Sequence, residues 1–244
     1  MAKHVLITGA SSGIGKQLSI DYASQGWHVY ACGQNLDRLE ALGMVSERIT
    51  PLAFDVCNLE SVTAAMASLT EMPELIILNA GTCEYIEHGK VDVALFRRIY
   101  EVNIFGVLNC IEALQPRFSD KTHLVLIGSS ASYLPLPRAE AYGSSKAALA
   151  YIANTLAIDL ERDGVTVSLV SPGFVKTPLT DKNDFAMPML VSPEFASEQI
   201  MQGINEKKKE IHFPKKFSLF LKTLSLLPIG LQLAAVKRMT GKTS

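Results

Sequence analysis

Hydrophobic residues along this chain fall into short, nearly continuous runs, and longer segments with apolar positions at helical spacing separate them. The runs have the lengths of strands and lie at 4–8, 27–32, 49–54, 75–80, 123–128, 165–170 and 210–213. Runs that are apolar at nearly every position indicate strands buried on both faces, as in a parallel sheet. The stretches between them, such as GKQLSIDYASQG and LESVTAAMASLTE, have the length and periodicity of crossover helices.

This alternation predicts a single α/β domain over residues 1–244, doubly wound around a mostly parallel sheet of about seven strands. At 48% hydrophobic, a chain of 244 residues has enough apolar material for one core. No linker rich in glycine, proline or serine divides it, and it contains no internal repeat.

Charge and cysteine content exclude several kinds of partner. The formal net charge of -1 gives no basic footprint for nucleic acid. The four cysteines, Cys32, Cys57, Cys83 and Cys110, are widely spaced, with no CxxC pair and no histidine cluster. We therefore predict reduced thiols and no metal site. The stretch MAKHVLITGA enters a strand without the long apolar region of a signal peptide, so we expect a cytoplasmic location.

Three glycines follow the first strand in TGASSGIGK, at Gly9, Gly13 and Gly15. Glycines at a strand-to-helix turn let the backbone approach a pyrophosphate, and the following helix offers unpaired N–H groups to the anion. The spacing is GxxxGxG rather than the commoner GxGxxG. Taken alone, it also fits a tight loop without a ligand.

Five ordered motifs strengthen the nucleotide-binding interpretation. They are TGASSGIG at 8–15, NAG at 79–81, the asparagine of VNIFG at 102–106, a serine ahead of YGSSK at 142–146, and SPGFVKT at 171–177. With these motifs the chain resembles a classical short-chain dehydrogenase/reductase from residue 3 to about residue 213. The resemblance implies a Rossmann-type sheet that binds NAD or NADP, hydride transfer between nicotinamide and an alcohol or carbonyl, and an Asn-Ser-Tyr-Lys catalytic set.

Tyr142 and Lys146 are four residues apart, so on a helix they share one face. A phenol can donate a proton to a carbonyl oxygen, but at neutral pH it is a poor base. Bringing its pKa from about 10 to about 7 requires about 4 kcal/mol, which a lysine and a positive nicotinamide could share. A YxxxK pair alone is also common on helix surfaces. Among the other motifs, we interpret Tyr142 as the general acid/base and Lys146 as the residue that lowers its pKa and binds the ribose.

The catalytic serine is a choice between two neighbours. Aligning GSSAS at 128–132 with the family pattern puts Ser129 in the catalytic position, while Ser130 would be one residue too near the tyrosine. We favour Ser129, whose hydroxyl would hydrogen-bond the substrate oxygen. The resemblance assigns Asn103 to a proton relay. Tyr133 has no lysine four residues later and is interpreted as a pocket wall or as packing.

The resemblance also implies a cofactor-binding set. Asp55 and Val56 would contact the adenine, Asn79 to Gly81 the adenosine ribose, and Pro172 and Gly173 the nicotinamide. The full set is Gly9, Ser11, Ser12, Gly13, Ile14, Gly15, Gln34, Asn35, Arg38, Asp55, Val56, Asn79, Ala80, Gly81, Tyr142, Lys146, Pro172, Gly173, Val175 and Thr177.

The end of the second strand bears on which cofactor is used. An NAD enzyme of this kind commonly has an acidic residue there, and its carboxylate repels a 2′-phosphate. This chain has Gly33 at that position. The positions where NADP enzymes often carry a cation hold Gln34 and Ser12, and Asn35 and Arg38 follow nearby. We therefore predict that NADP is favoured over NAD, with use of both left open.

Residues 174–205 are predicted to form a substrate-binding lid. Phe174, Phe185, Met187, Met189 and Leu190 would give the lid an apolar face, although each could instead pack on the body of the protein. An apolar lid favours a lipophilic carbonyl or alcohol as the substrate. The family also implies a homodimer or homotetramer.

Residues 214–244 form an apolar and basic extension that contains Lys215, Lys216, Lys237 and Arg238. Lys222 and Pro228 interrupt its apolar run, so a membrane span is the weakest interpretation. Packing within the protein or an oligomer and association with a membrane surface remain the alternatives.

Two functions follow from these patterns: an NAD(P)-dependent oxidoreductase, which the complete catalytic set favours, and a non-catalytic dinucleotide-binding regulator with the same fold. The sequence does not give the physiological substrate or the direction of reaction.

Overall fold

Seven parallel strands form one sheet within residues 3–241, the part of the chain that the computed structural model describes. The strands are β1 (His4–Thr8), β2 (His28–Gly33), β3 (Ile49–Ala53), β4 (Leu75–Leu78), β5 (His123–Ile127), β6 (Thr166–Pro172) and β7 (Glu210–Phe213). Their spatial order is β3-β2-β1-β4-β5-β6-β7. The predicted doubly wound α/β fold is confirmed, and each apolar run of the sequence corresponds to one strand.

Helices connect the strands and cover both faces of the sheet. They are α1 (Gly13–Ser24), α2 (Leu36–Gly43), α3 (Leu59–Ala67), α4 (Val93–Tyr100), α5 (Gly106–Leu114), α6 (Glu140–Asp159), α7 (Pro193–Asn205), α8 (Lys215–Ser225) and α9 (Ile229–Met239). A π-helical turn, Glu101–Phe105, joins α4 to α5. Side-chain oxygens of Asn35, Asn58, Asp92 and Ser192 accept backbone N–H bonds at four helix starts, which fixes where those helices begin.

Two apolar layers lie on opposite faces of the sheet. In β1, Leu6 points into the layer that contains α3, α5 and α6, whereas Val5 and Ile7 point into the layer that contains α1, α2 and α7. Because both faces are covered, successive residues of the five inner strands are buried at nearly every position, whereas the edge strands β3 and β7 are partly exposed. This is why the strands read as continuous apolar runs rather than as alternating patterns.

The order in which strands are added changes direction at β1: β2 and β3 lie on one side of it, and β4 to β7 lie on the other. This change of direction positions the site. In open α/β sheets, a crevice forms at the carboxyl ends of the strands where the order reverses. The glycine loop after β1 and the NAG segment after β4 both lie at this edge.

The second half of the predicted lid belongs to the body of the protein. Residues 193–205 form α7, whose Ile200 is fully buried and whose Ser197 hydroxyl donates to Asp21 of α1 at 2.6 Å. The apolar spacing of α7 thus reflects core packing. A lid remains a prediction only for residues 174–192.

The C-terminal extension, described as far as residue 241, forms two helices of 11 residues each. Pro228 separates α8 from α9. Within residues 3–241, no helix is long and apolar enough to cross a membrane.

Candidate active site

The glycine loop has a backbone that other residues would not adopt easily. Gly9 and Gly13 have φ values of +66° and +53°, in the left-handed region that favours glycine. A Cβ atom on Gly9 would lie 2.9 Å from the Cα of Ala80, and one on Gly13 would lie 2.9 Å from the Cγ2 of Thr177. The loop therefore presents bare backbone to the crevice at the start of α1.

Hydrogen bonds from β4 fix this loop to its neighbour. The Nδ2 of Asn79 donates to the carbonyls of Thr8 and Gly9 at 2.9 and 3.3 Å. The hydroxyl of Thr8 accepts from the amides of Asn79 and Ala80 at 2.9 and 3.0 Å. Because these two amides bond Thr8 instead of another strand, β4 ends at Leu78, two residues before the predicted end. Thr8 was absent from the predicted site, although it stands in the TGASSGIG motif.

A cavity of about 410 Å³ opens between the glycine loop and α2. Its lining consists of Ser11, Ser12, Gly13, Lys16, Arg38, Ala41, Leu42, Val45 and Pro178. Arg38 was predicted from the sequence, and Lys16 was not. The pair gives the cavity two cationic side chains.

Gln34 and Asn35, the other two residues predicted at the end of β2, both contact neighbouring residues of the protein. Asn35 caps α2, because its Oδ1 accepts from the amide of Arg38 at 2.9 Å. The Gln34 side chain lies close to the Asp55 carboxylate. Burial opposes ionisation of Asp55, but hydrogen bonds from the Cys57 amide and the Gln34 side chain hold the pKa of this carboxyl below its ordinary value.

The side chain of Val56 does not face the crevice. It is buried, and it lies against Gly106 at the start of α5. The Val56 carbonyl accepts from the Nδ2 of Asn109 at 2.9 Å. The predicted adenine contact at Val56 would therefore have to come from the backbone.

A second cavity, of about 120 Å³, lies at the carboxyl ends of β4, β5 and β6. It is lined by Ile14, Asn79, Gly81, Thr82, Ile127, Gly128, Ser129, Tyr142, Lys146, Pro172, Gly173, Val175, Thr177, Leu179 and Thr180. The fold thus brings the predicted serine, from the segment after β5, to the same cavity as the predicted tyrosine and lysine of α6. The lining residues that sequence reasoning missed are Thr82, Ile127, Gly128, Leu179 and Thr180.

Lys146 lies one turn after Tyr142 on α6, and only 5% of it is exposed. Its Nζ donates to the carbonyl of Ile127 at 2.9 Å and lies 5.9 Å from the centre of the Tyr142 ring. Burial disfavours the ammonium and lowers the pKa of Lys146 to about 8. Most of the lysine therefore remains charged at neutral pH.

The protein residues around Tyr142 raise its pKa rather than lower it. Burial is the main cause, the neighbouring Cys83 thiol adds to it, and the Ser129 hydroxyl acts in the opposite direction; together they raise the pKa of Tyr142 to about 12. This differs from the lowering expected from the sequence, because desolvation of the phenolate outweighs the other effects. The residues of this site hold the phenol in its protonated form.

The two candidate serines face different surroundings. Ser129 has extended backbone and lines the cavity beside Tyr142, and its Oγ accepts from the amide of Ala131 at 3.1 Å. Ser130 is buried in a short 3₁₀ turn and is not among the residues that line the cavity. Tyr133 donates from its hydroxyl to Glu210 at 2.8 Å, outside the group around Tyr142.

Asn103 is fully buried in the π-helical turn. Its Oδ1 accepts from the Thr82 amide at 2.8 Å, and its Nδ2 donates to the Thr82 carbonyl and the Ser145 hydroxyl, each at 3.0 Å. Ser145 in turn donates to the carbonyl of Tyr142 at 2.7 Å. Asn103 therefore connects the segment after β4 to the first turn of α6. Extra residues in a helical turn often mark functional sites.

Aromatic side chains pack together beside the second cavity. The ring of Phe174 lies 6.1 Å from Phe185 and 5.9 Å from Phe217, and Phe185 lies 5.3 Å from Tyr85. Of the other predicted lid residues, Met187 accepts a weak bond from Asn183, whereas Met189 and Leu190 are exposed. Phe174 and Phe185 alone among the five predicted residues take part in the aromatic group.

The crevice residues fit a dinucleotide. The glycine backbone offers close approach and helix α1 offers free N–H groups for a pyrophosphate. One cavity with two cationic side chains lies on the α2 side, and one with Ser129, Tyr142 and Lys146 lies on the other. This arrangement is typical of a nucleotide-dependent enzyme site in an α/β sheet.

Comparison with known proteins gives the family. The short chain dehydrogenase family matches residues 3–187. An uncharacterized oxidoreductase of Myxococcus xanthus is 32% identical over 96% of each chain. A serine 3-dehydrogenase of Rhizobium radiobacter is 27% identical over 94% of this chain and 95% of the relative.

Solved structures show the same fold. A short-chain dehydrogenase of Sphingobium yanoikuyae in complex with NADPH superposes with a TM-score of 0.80, at 20% identity, over 99% of this chain and 96% of the other. A 3-ketoacyl-(acyl-carrier-protein) reductase of Brucella melitensis complexed with NADH gives 0.79, at 23% identity, over 86% and 96%.

The chain belongs to the short-chain dehydrogenase/reductase family. It is an NAD(P)-dependent oxidoreductase of this family that acts on CH–OH donors.

Proposed function

We propose that this enzyme interconverts a lipophilic alcohol and its carbonyl compound, with Tyr142 as the general acid/base. The observation that carries the proposal is the convergence of Ser129, Tyr142 and Lys146 on one cavity. When bound, the nicotinamide dinucleotide supplies or accepts the hydride.

Each catalytic side chain has one task in this proposal. The Tyr142 phenol, with its pKa near 12, donates its proton to the carbonyl oxygen during reduction and recovers it during oxidation. The Ser129 hydroxyl hydrogen-bonds the same oxygen, where negative charge develops. The Lys146 ammonium, held by the Ile127 carbonyl, stabilises the phenolate and binds the ribose. Asn103 holds Thr82 and α6 in place and thereby supports the proton relay.

The aromatic group at Phe174, Phe185 and Tyr85 supports a lipophilic substrate. Among the residues that line the second cavity, Lys146 is the one cation, and its Nζ is already bonded to Ile127. Arg138 lies close by but pairs with Glu87 and Asp184. A carboxylate or sulfonate on the substrate would therefore meet little positive charge, whereas an apolar substrate would contact aromatic rings.

The Tyr142→Phe variant tests the assignment of the acid. We expect kcat to fall at least about a hundredfold with NADPH and a panel of apolar ketones, while NADPH still binds. Tyr151→Phe on the same helix is the matched control, because Tyr151 points outward, and it should keep wild-type turnover. Full turnover by Tyr142→Phe would overturn the assignment. Nucleotide binding without turnover by the wild type on any carbonyl would favour the non-catalytic regulator.

The neighbouring serines allow a matched comparison. We expect Ser129→Ala to lower kcat at least about tenfold, because the substrate oxygen loses a hydrogen-bond donor. Ser130→Ala should change the melting temperature more than kcat, since Ser130 is buried away from the cavity lining. The reverse result would move the catalytic role to Ser130.

We propose that NADP is favoured over NAD. Gly33 presents no carboxylate beside Ser11, and Arg38 and Lys16 line the larger cavity, where they suit a 2′-phosphate. Titration of the wild-type enzyme with each nucleotide should give a lower Kd for NADPH than for NADH. Replacing Arg38 or Lys16 with alanine should raise the Kd for NADPH about tenfold and leave that for NADH nearly unchanged. Tighter binding of NADH to the wild type would contradict the preference.

We also propose a homodimer or homotetramer that is assembled through α6. Tyr151 and Ile158 stand two turns apart on this helix and are largely exposed, which is unusual for large apolar side chains. Light scattering should give a mass of two or four chains, and Ile158→Asp should lower it. A monomeric wild type would contradict this assembly.

A further inference from the structure

The two C-terminal helices form a hairpin that leaves its outer side uncovered. The Gln232 side chain donates to the carbonyls of Ser225 and Leu227 at 3.0 and 2.7 Å, and this joins the end of α8 to the start of α9. One helical turn or more further from this junction, Leu221 of α8 and Val236 of α9 pack in one apolar cluster. The helices are therefore antiparallel, and the junction at 226–229 forms the tip of the hairpin.

The inner face of the hairpin is anchored to the body of the protein. Leu221 and Val236 pack with Leu134, which lies in the loop between β5 and α6. Lys222 forms an ion pair with Glu210 of β7 at 2.5 Å. The hairpin is thus a fixed part of the fold, and its outward side chains have defined positions.

The tip of the hairpin carries large apolar side chains in solvent. Leu226, Ile229 and Leu231 are 84%, 63% and 56% exposed. Further exposed apolar residues on the two helices are Leu219, Phe220, Leu227, Leu233 and Met239. A group of this many exposed apolar side chains on neighbouring positions indicates an interaction surface.

Basic residues surround the other end of the hairpin. Lys215 and Lys216 begin α8, and Lys237 and Arg238 end α9, so the antiparallel arrangement places all four away from the apolar tip. Residues 214–244 contain six of the 23 basic residues of the chain and none of its 24 acidic ones. The extension is therefore cationic on a chain whose other residues carry a net negative charge.

We propose that the α8–α9 hairpin docks the enzyme onto an anionic lipid surface. The hairpin lies along the surface, so that the apolar tip and the exposed apolar side chains of both helices enter the boundary between headgroups and acyl chains while the four basic side chains meet the lipid phosphates. An apolar face with basic flanks is the composition that binds bilayer surfaces without crossing them. Each lysine or arginine near such a surface contributes about 1 kcal/mol, and long basic side chains can reach the headgroups from beside the inserted residues.

Charge favours lipid over a second copy of the chain as the occupant. A twofold contact places the same patch of both copies together. Through this hairpin, such a contact would bring Lys215, Lys216, Lys237 and Arg238 close to their own equivalents with no carboxylate from the extension in return. Anionic headgroups satisfy the same cations. This docking does not depend on the proposed reaction, because none of these residues lines either cavity.

Vesicle flotation with the full chain tests the proposal. The probes are vesicles of phosphatidylcholine alone and vesicles in which about one third of the lipid is phosphatidylglycerol. We expect at least tenfold more protein bound to the anionic vesicles at about 0.1 M salt than to the neutral ones, and less binding at about 1 M salt. A wild type that floats with neither kind of vesicle overturns the proposal.

Three variants separate the contributions. The double variants Leu226→Asp/Ile229→Asp and Lys237→Gln/Arg238→Gln should each lose most anionic-vesicle binding while keeping the wild-type melting temperature, because all four side chains are exposed. Met44→Asp is the matched control, since Met44 is an equally exposed apolar residue beyond the end of α2, and it should bind as the wild type does. If the tip variant instead reduces the oligomer mass and leaves vesicle binding unchanged, the tip is a contact between copies and the proposal is wrong.

Discussion

Replacing Lys146 with methionine removes a charge that the fold buries at a cost. Lys146 lies inside the protein with its Nζ bonded to one carbonyl oxygen, and desolvation lowers its pKa from 10.5 to about 8. Methionine has a similar length and no charge. The Lys146→Met variant should lose catalytic activity and, at neutral pH, should avoid the cost of burying the ammonium.

The size of this cost follows from the pKa. Each pKa unit corresponds to about 1.4 kcal/mol, so a buried lysine with a pKa of about 8 costs about 3 kcal/mol when charged. Methionine leaves the Ile127 carbonyl without its donor, which offsets about 1 to 3 kcal/mol of the gain. The net change at pH 7 is therefore small. The dependence on pH is the distinctive result.

Between pH 8 and pH 10.5 the unfolded chain binds more protons at position 146 than the folded chain does. The free energy of unfolding of the wild type therefore rises with pH in this window through Lys146, and that of Lys146→Met does not. The stability of the variant relative to the wild type should fall by about 2 kcal/mol between pH 7.5 and pH 10.

Urea unfolding at a series of pH values measures this difference, with far-UV circular dichroism as the signal. Lys121→Met is the control, because Lys121 is exposed, and it should show no such trend. A flat difference between wild type and Lys146→Met from pH 7.5 to pH 10 would refute the claim that Lys146 is buried with a lowered pKa.

Three further outcomes follow from contacts at the crevice. Thr8→Val leaves two partly buried amides without an acceptor and should lower the free energy of unfolding by about 1 to 2 kcal/mol, whereas Thr8→Ser should keep most of it, as denaturant titration can measure. Gly13→Ala should weaken NADPH binding in a fluorescence titration, because the new Cβ meets Thr177. Gly26→Ala is the control, since Gly26 also has a positive φ but lies in open space. It should change only the free energy of unfolding, by about 1 kcal/mol. Phe174→Ala should raise KM for apolar ketones more than for small polar ones.

Most of the fold could be predicted from the sequence because strands buried on two faces leave continuous apolar runs. The ends of the strands were less predictable. β4 ends at Leu78 because the amides of Asn79 and Ala80 bond the Thr8 hydroxyl, a contact between residues 71 and 72 positions apart. A local pattern carries no information about such a partner.

The residues of the candidate site also differ in how far local sequence predicts their surroundings. The Tyr142–Lys146 pair was predictable, because a spacing of four residues on a helix fixes a shared face. The surroundings of Gln34 and Asn35 were not, because each side chain has an alternative partner in the fold, Asp55 or the amide of Arg38. Lys16 was missed because its position lies outside the glycine motif.

The sequence could not assign the apolar positions of residues 193–205 to a lid face or to the core. Residues 193–205 have apolar positions that would suit either a lid face or a core helix, and the sequence does not say which surface they meet. In the fold, Ile200 meets the core and Ser197 meets Asp21 of α1. Three-dimensional packing decided between the two.

The π-helical turn at Glu101–Phe105 has a consequence for how this region can vary. Each residue advances an α-helix by about 100°, so adding or removing one residue here would rotate everything that follows by that angle. Such a rotation would carry Asn103 away from Thr82 and turn the buried side of α5 toward solvent. Glu101 and Phe105, which face outward, can change in identity. The number of residues between Tyr100 and Gly106 cannot change, so this segment tolerates substitution but not insertion or deletion.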